Sequence, residues 1–271
     1  MTAATDRTDR HDPLDPVTTA RLALACLDLT SLNDADTEAD VETLCARADG
    51  PHGAVAAVCV WPRFVALARR SLPAGIAVAA VANFPDGSAD VERAVRDTRA
   101  IADAGAQEVD VVLPFARLQA GDERAVAALL AAVRAACPGL ALKVILETGV
   151  LGVSDGGALI ARAARLALDA GADFLKTSTG KTPVSATPAA ATVMLETIAA
   201  DPRGTQVGFK ASGGIRTVAD AAVYIALVER FLGAAALTPR RFRFGASGLL
   251  YAIEAVLGGQ AAPPAAAPGT Y

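Results

Sequence analysis

Five apolar, strand-like runs of this chain each carry an ionisable side chain among small aliphatic ones. Asp28 lies in residues 26–30, Asp110 in 108–113, Lys143 in 140–146 with Glu147 next to it, Lys176 in 174–178 and Lys210 in 207–212. One such residue can turn outward, its stem along apolar surface and its charge in water. Five are hard to place that way, because burying an unpaired charge is costly. A cluster of acids and bases that compensate one another inside the fold is the simpler account. Within it Lys176 has the type and setting of an amine nucleophile, since burial favours the neutral lysine whose lone pair attacks a carbonyl and forms an imine. Taken alone, Lys176 also fits a strand-end lysine reaching solvent. Lys210, on the next strand, would add a second ammonium that lowers the Lys176 pKa further. Asp110 would hold Lys210 protonated or relay protons through a water, with a structural ion pair as its alternative.

These positions need a scaffold that gathers strand residues at one place. The pattern along the chain supplies one: short apolar runs at 26–30, 54–60, 76–82, 108–113, 140–146, 174–178, 207–212 and 242–245 alternate with helical periodicity. The helices are predicted at 17–25, 36–48 with Asp36 as N-cap, 64–72, 90–104, 123–137, 158–170, 188–200, 218–232 and 247–257. Gly105 and Gly171 sit where left-handed C-terminal caps belong. Strand–helix units repeated eight times predict a single-domain α/β TIM barrel, a (β/α)8 fold, with an open doubly wound sheet as the alternative. Residues 1–15 read as a polar leader, 16–258 as the barrel with its short N-terminal helix, and 259–271 as an irregular Ala/Pro/Gly tail ending in Tyr271.

Composition narrows the function. A hydrophobic fraction of 53% with only 4% aromatic residues describes an Ala/Val/Leu/Ile core. A formal net charge of -4 without a basic run argues against a nucleic-acid partner. Cys26, Cys45, Cys59 and Cys137 lack the spacing of a zinc site or a disulfide framework, so reduced thiols and a cytoplasmic location are expected. No signal peptide or membrane-spanning run is read in the sequence, and a soluble protein is expected.

Two glycine-bearing turns add a binding function. Ser212-Gly-Gly-Ile-Arg216 leaves the seventh strand, and Gly245-Ala-Ser-Gly248 leaves the eighth at the start of a helix. Barrel enzymes often hold phosphate at these two exits, on backbone N–H groups and a helix N-terminus.

The assembled motifs resemble the deoxyribose-phosphate aldolase family of Schiff-base-forming, class I aldolases. They are Leu27-Asp-Leu-Thr30, Val58-Cys-Val-Trp-Pro62, Asn83-Phe-Pro85, Glu108-Val-Asp-Val-Val112, Lys143-Val-Ile-Leu-Glu-Thr148, Lys176-Thr-Ser-Thr-Gly-Lys181, Lys210-Ala-Ser-Gly-Gly-Ile-Arg216 and Phe244-Gly-Ala-Ser247. The resemblance implies reversible cleavage of 2-deoxy-D-ribose 5-phosphate to D-glyceraldehyde 3-phosphate and acetaldehyde, with no metal and no organic cofactor. It matches Lys176 to the Schiff-base lysine, Lys210 to the neighbouring lysine and Asp110 to the acid-base carboxylate. Asp28, Thr30 and Cys59 match the substrate lining, Thr179, Gly180 and Lys181 the adjoining loop, and Gly213, Gly214, Ser247 and Gly248 the phosphate cradle. Many members carry a serine where this chain has Gly248, which implies a weaker phosphate grip. Some also end in tyrosine, which makes Tyr271 a candidate helper in proton transfer. A homodimer is the family-level expectation. Another Schiff-base aldolase acting on a different phosphosugar, or a silent phosphosugar-binding barrel, are the rival readings.

Overall fold

Every barrel strand alternates one inward residue with one apolar outward residue, and that alternation closes the sheet. The computed structural model describes residues 14–259. Its barrel strands are β1 (Leu27–Thr30), β2 (Ala57–Val60), β3 (Ala77–Ala82), β4 (Glu108–Val112), β5 (Ala141–Ile145), β6 (Phe174–Lys176), β7 (Gly208–Ser212) and β8 (Phe242–Ala246). Each pairs in parallel with its neighbours in sequence, and β8 returns to β1, so a (β/α)8 TIM barrel results rather than an open sheet. Outward residues such as Leu27, Leu29, Val109, Val111, Leu142, Val144, Phe209 and Phe244 join one large apolar cluster under the helices. Burying each such large side chain is worth about 1.5–3 kcal/mol, so this layer dominates the stability of the fold. A smaller cluster of Leu32, Cys59, Ala79, Val81, Phe84, Val112 and Ile145 lines one side of the interior.

The helices are α1 (Pro16–Ala25), α2 (Glu38–Arg47), α3 (Val65–Ser71), α4 (Val91–Asp103), α5 (Phe115–Gln119), α6 (Glu123–Ala136), α7 (Thr148–Leu151), α8 (Ala158–Asp169), α9 (Pro188–Ala200), α10 (Val218–Leu232) and α11 (Leu249–Leu257). Their starts follow capping chemistry. Asp15 accepts from the N–H groups of Val17 and Thr18, Asp90 accepts from Arg93, and Thr217 forms a capping box with Asp220. Gly105 takes φ 91° after α4, as its left-handed cap position requires. Among the described residues no helix is long and apolar enough to cross a membrane. All four cysteines are free and buried.

Several predicted boundaries need correction. Thr37, not Asp36, caps α2, in a capping box with Asp40, while Asp36 accepts from Ser31 and Asn33 in the preceding loop. The predicted strand 54–60 is split: Gly53–Ala54 pairs antiparallel with Asp49–Gly50, and only Ala57–Val60 enters the barrel. β6 ends at Lys176, and Thr177 and Ser178 begin the exit loop. The last helix starts at Leu249 instead of residue 247. The short helices α5 and α7, absent from the sequence reading, are too brief for periodicity to reveal. The leader up to residue 13 and the tail from 260 lie outside the described residues.

At the base of the barrel Phe174 of β6 packs across Gly208 of β7. A Cβ at Gly208 would stand 2.2 Å from the Phe174 ring. Gly208→Ala must therefore push this ring aside, and we predict a destabilisation of about 1–3 kcal/mol in urea melts. An unchanged melting midpoint would contradict the packing described.

Candidate active site

The inward faces of six strands meet in one buried network of charges. β4 contributes Glu108 and Asp110, β5 Lys143, β6 Lys176, β7 Lys210, β1 Asp28 and β8 Arg243. Strand register makes them neighbours: Lys176 pairs with Lys210, Asp110 with Lys143, and Lys210 with Arg243. Parallel pairing keeps paired residues on the same face, so all point inward together.

Asp110 is the hub. Its Oδ2 accepts from Lys176 Nζ at 2.9 Å and from Lys210 Nζ at 2.8 Å, and its Oδ1 accepts from Lys143 Nζ at 2.7 Å. Asp28 takes a second bond from Lys210 and one from Arg243 Nη1. Glu108 receives Lys143 at 2.6 Å and Arg243 Nη2 at 2.8 Å. Lys143, Lys210, Asp28 and Asp110 are wholly buried, and Lys176 keeps 2% of its surface exposed. Lys176 is thus the lysine of the three nearest to an opening.

The network holds three carboxylates, Asp28, Glu108 and Asp110, against four basic groups, Lys143, Lys176, Lys210 and Arg243. A neutral network of these seven groups would leave one base without its proton, and the local fields differ among the four. Burial lowers the Lys176 pKa, Asp110 opposes this, and Lys210 lowers it again, so the net shift is downward. For Lys143 and Lys210 burial is outweighed by their carboxylates, two or more apiece, and both are raised. Arg243 is likewise raised against burial by Asp28 and Glu108. Burial opposes the charged forms of Asp28 and Asp110 as well, but the surrounding cations win and hold both below the ordinary carboxylate range. Lys176 is the lone basic member pushed toward neutrality.

Above the network the remaining expected residues fall into two places. Thr30 Oγ1 donates to the Asp28 carbonyl, and the Cys59 thiol, kept protonated by burial and by Asp110, faces the same interior. On the rim, Thr179 Oγ1 donates to Glu147 Oε2 and accepts from the Lys181 N–H at 3.0 Å, with Gly180 between them at φ 80°. Glu147 has φ 55°, an uncommon conformation for a side chain other than Gly, Asn or Asp, and also accepts from Thr182 at 3.2 Å. Burial raises the pKa of its carboxyl. Gly213 and Gly214 both take φ 83°, and a Cβ at Gly213 would strike Ser185 at 2.6 Å, so the β6 exit loop closes down on the β7 exit. Ser247 and Gly248 precede α11, whose N-terminus has no side-chain cap. Tyr271 lies outside the described residues.

Sequence reasoning missed the parts played by Glu108, Arg243 and Gly245, and it counted Glu147 in the cluster of compensating charges, whereas its carboxylate is bonded to Thr179 and Thr182 in the exit loop. Glu108 stands two residues before Asp110 on the same strand face, which is the signal that could have found it. Arg243 lies between Phe242 and Phe244, an alternation that marks it as inward once the two phenylalanines are placed outside. Gly245 leaves the space Lys210 needs, since a Cβ there would stand 3.0 Å from Lys210 Cε and 2.6 Å from Ser212 Oγ.

Removing the hub charge should be costly. Asp110→Asn leaves buried ammonium groups short of a counter-charge, with a predicted loss of about 3–5 kcal/mol in denaturant melts at neutral pH. The folded pKa of Asp110 is depressed, so its contribution is present above the unfolded carboxylate value, about 3.9, and disappears as pH falls through the folded one. The difference between wild type and Asp110→Asn should therefore shrink in acid. Equal stability of the two at neutral pH would contradict the hub assignment.

Known proteins share this scaffold over most of its length. The model of the DeoC/LacD family aldolases matches residues 22–250. A deoxyribose phosphate aldolase from Aeropyrum pernix, described as tetrameric, is 25% identical, with 89% of this chain and 97% of that chain covered at a TM-score of 0.67. A Coccidioides immitis protein provisionally assigned as a deoxyribose-phosphate aldolase is 28% identical over 89% of this chain and 87% of that one, at a TM-score of 0.75. A Toxoplasma gondii protein with the same provisional assignment is 26% identical, covering 92% and 99% respectively, at 0.82. The chain belongs to the DeoC/LacD family of aldolases and is a carbon–carbon lyase.

Proposed function

We propose that this aldolase cleaves 2-deoxy-D-ribose 5-phosphate reversibly to D-glyceraldehyde 3-phosphate and acetaldehyde, through an imine on Lys176. The observation that carries the reading is the sharing of Asp110 Oδ2 between Lys176 and Lys210, with Lys176 alone shifted toward its neutral form. The named relatives and the family match support the substrate class.

In this reading neutral Lys176 attacks C1 of the open-chain sugar, and the carbinolamine loses water to give a protonated imine. The iminium draws the electron pair of the C2–C3 bond as the C3 hydroxyl loses its proton. Asp110, with protonated Lys210 fixed against it or through a water, moves that proton. Glyceraldehyde 3-phosphate departs and leaves the enamine of acetaldehyde. Protonation at C2 and hydrolysis release acetaldehyde and restore the amine. Asp28, Thr30 and Cys59 line the sugar, and the apolar side formed by Leu32, Val81, Val112 and Ile145 suits the two-carbon fragment. Thr179, Gly180 and Lys181 form the loop beside it, which Glu147 braces. Gly213, Gly214, Ser247 and Gly248 receive the 5-phosphate on backbone N–H groups and the α11 N-terminus, which favours negative charge. Residues 16–258 act as one catalytic domain.

Reductive trapping tests this directly. Acetaldehyde with borohydride should add one two-carbon unit, located at Lys176 by peptide mass mapping. Lys176→Arg should fold and form no adduct, because Arg stays protonated near neutral pH. An adduct elsewhere, or one at full yield in Lys176→Arg, would overturn the assignment. Release of a product other than glyceraldehyde 3-phosphate with acetaldehyde would instead place the enzyme on another phosphosugar.

A further inference from the structure

Arg243 enters the charge network from below and meets it through Asp28, at the edge of the proposed sugar lining, and through Glu108. The residue is 7% exposed, and its guanidinium forks between Asp28 and Glu108 while standing 5.7 Å from the centre of the Phe174 ring. Glu108, Phe174 and Arg243 form part of the wall of a depression of about 630 Å³ at the base of the barrel, so they separate outside water from the buried lysines. Through its two carboxylates Arg243 reaches both accessory lysines: Asp28 holds Lys210, and Glu108 holds Lys143.

We propose that Arg243 is a positioning residue for imine formation: it fixes Asp28 and Glu108 in place and supplies the third permanent cation, so that the proton missing from the network is the one on Lys176. The charge count makes the role specific. With Arg243 present, Lys143, Lys210 and Arg243 already balance Asp28, Glu108 and Asp110, and a charged Lys176 would be in excess. Without the guanidinium, the same three carboxylates are balanced only when Lys176 keeps its proton. The groups facing Lys176 from the packed elements are Asp110 on β4, Lys210 on β7, Cys59 on β2 and Glu147 at the β5 exit, with Lys143 on β5 sharing Asp110, Asp28 and Arg243 behind Lys210, and Glu108 behind Lys143. Glu147, at the β5 exit, is held by Thr179 and Thr182 and makes no ion pair with the three buried lysines; burial raises its pKa, while its hydrogen bonds and the Lys176 charge oppose the rise. Bonded to neither Arg243 nor Glu108, it contributes equally to wild type and to variants at those two positions.

This inference rests on Lys176 being the imine-forming amine, and the experiment keeps the two apart. Adduct formation with acetaldehyde and cyanoborohydride is followed by mass against pH, for folded protein verified by circular dichroism. In wild type the yield should fall on the acid side as Lys176 becomes protonated. Arg243→Gln should move that acid limb toward alkaline pH by about 1–3 units, the size of a lost nearby charge. Glu108→Gln removes a negative charge and should move it the other way. The double variant Arg243→Gln/Glu108→Gln restores the balance and should return the limb close to wild type, as should Arg243→Lys. A merely structural Arg243 would make the double variant worse than either single one. If Arg243→Gln folds poorly, Glu108→Gln carries the test, and an unmoved or alkaline-shifted limb in it overturns the proposal. No adduct at Lys176 in wild type defeats the parent reading, whereas an adduct there with unmoved limbs in the variants defeats the role of Arg243 alone.

Discussion

The structure depends on electroneutrality inside a closed barrel. Ions packed between eight strands have little water to screen them, so each charge must meet a counter-charge at hydrogen-bond distance or be lost through proton exchange. Asp110 meets three ammonium groups at 2.7–2.9 Å, and Asp28 and Glu108 each bind two or more cations. With four bases for three acids, a neutral amine is the cheapest way to settle the difference. In the mechanism proposed above, the unprotonated lysine that an imine needs follows from this balance of charges in a dry interior.

The rest of the fold serves this arrangement. Parallel register aligns Lys176 with Lys210 and Asp110 with Lys143, and the outward alternate residues anchor each strand in the apolar layer beneath the helices. Gly245 and Gly208 yield the space that Lys210 and Phe174 occupy. Such charges do not stabilise the barrel as an apolar filling would. The large outward cluster supplies the stability that allows the interior to be specialised.

Much of the fold was legible because each strand–helix unit announces itself. An apolar run of a few residues ends in a turn signal, and a helix-period stretch follows it. The repetition through β8 and α11 left the closed barrel as the better solution. Capping at Gly105 was readable for the same local reason, whereas Asp90, read as the first helical residue, is the N-cap, and Asp36 and Thr37 compete at another helix start where only the side-chain geometry decides. The lysines and Asp110 stood out as charges in apolar runs. Arg243 and Glu108 did not, because each lies at or near a strand start, where an outward turn into solvent is equally plausible by pattern. Their inward direction follows from register with Lys210 and from Asp110 two residues on, which are long-range and pairwise facts. The αL conformation of Glu147 has no local signature, and the partners of its carboxylate, Thr179 and Thr182, lie more than thirty residues away in the chain.

Imine formation turns on which amine lacks a proton, and a direct titration answers that. Protein labelled at the lysine Nζ and Cε positions can be titrated by NMR, with Lys143, Lys176 and Lys210 assigned by single substitution. Of the three, Lys176 alone should be neutral near pH 7, and the other two should stay protonated well above the pH at which an ordinary lysine titrates. Three protonated amines at neutral pH, or a neutral Lys143 or Lys210 beside a charged Lys176, would contradict this assignment.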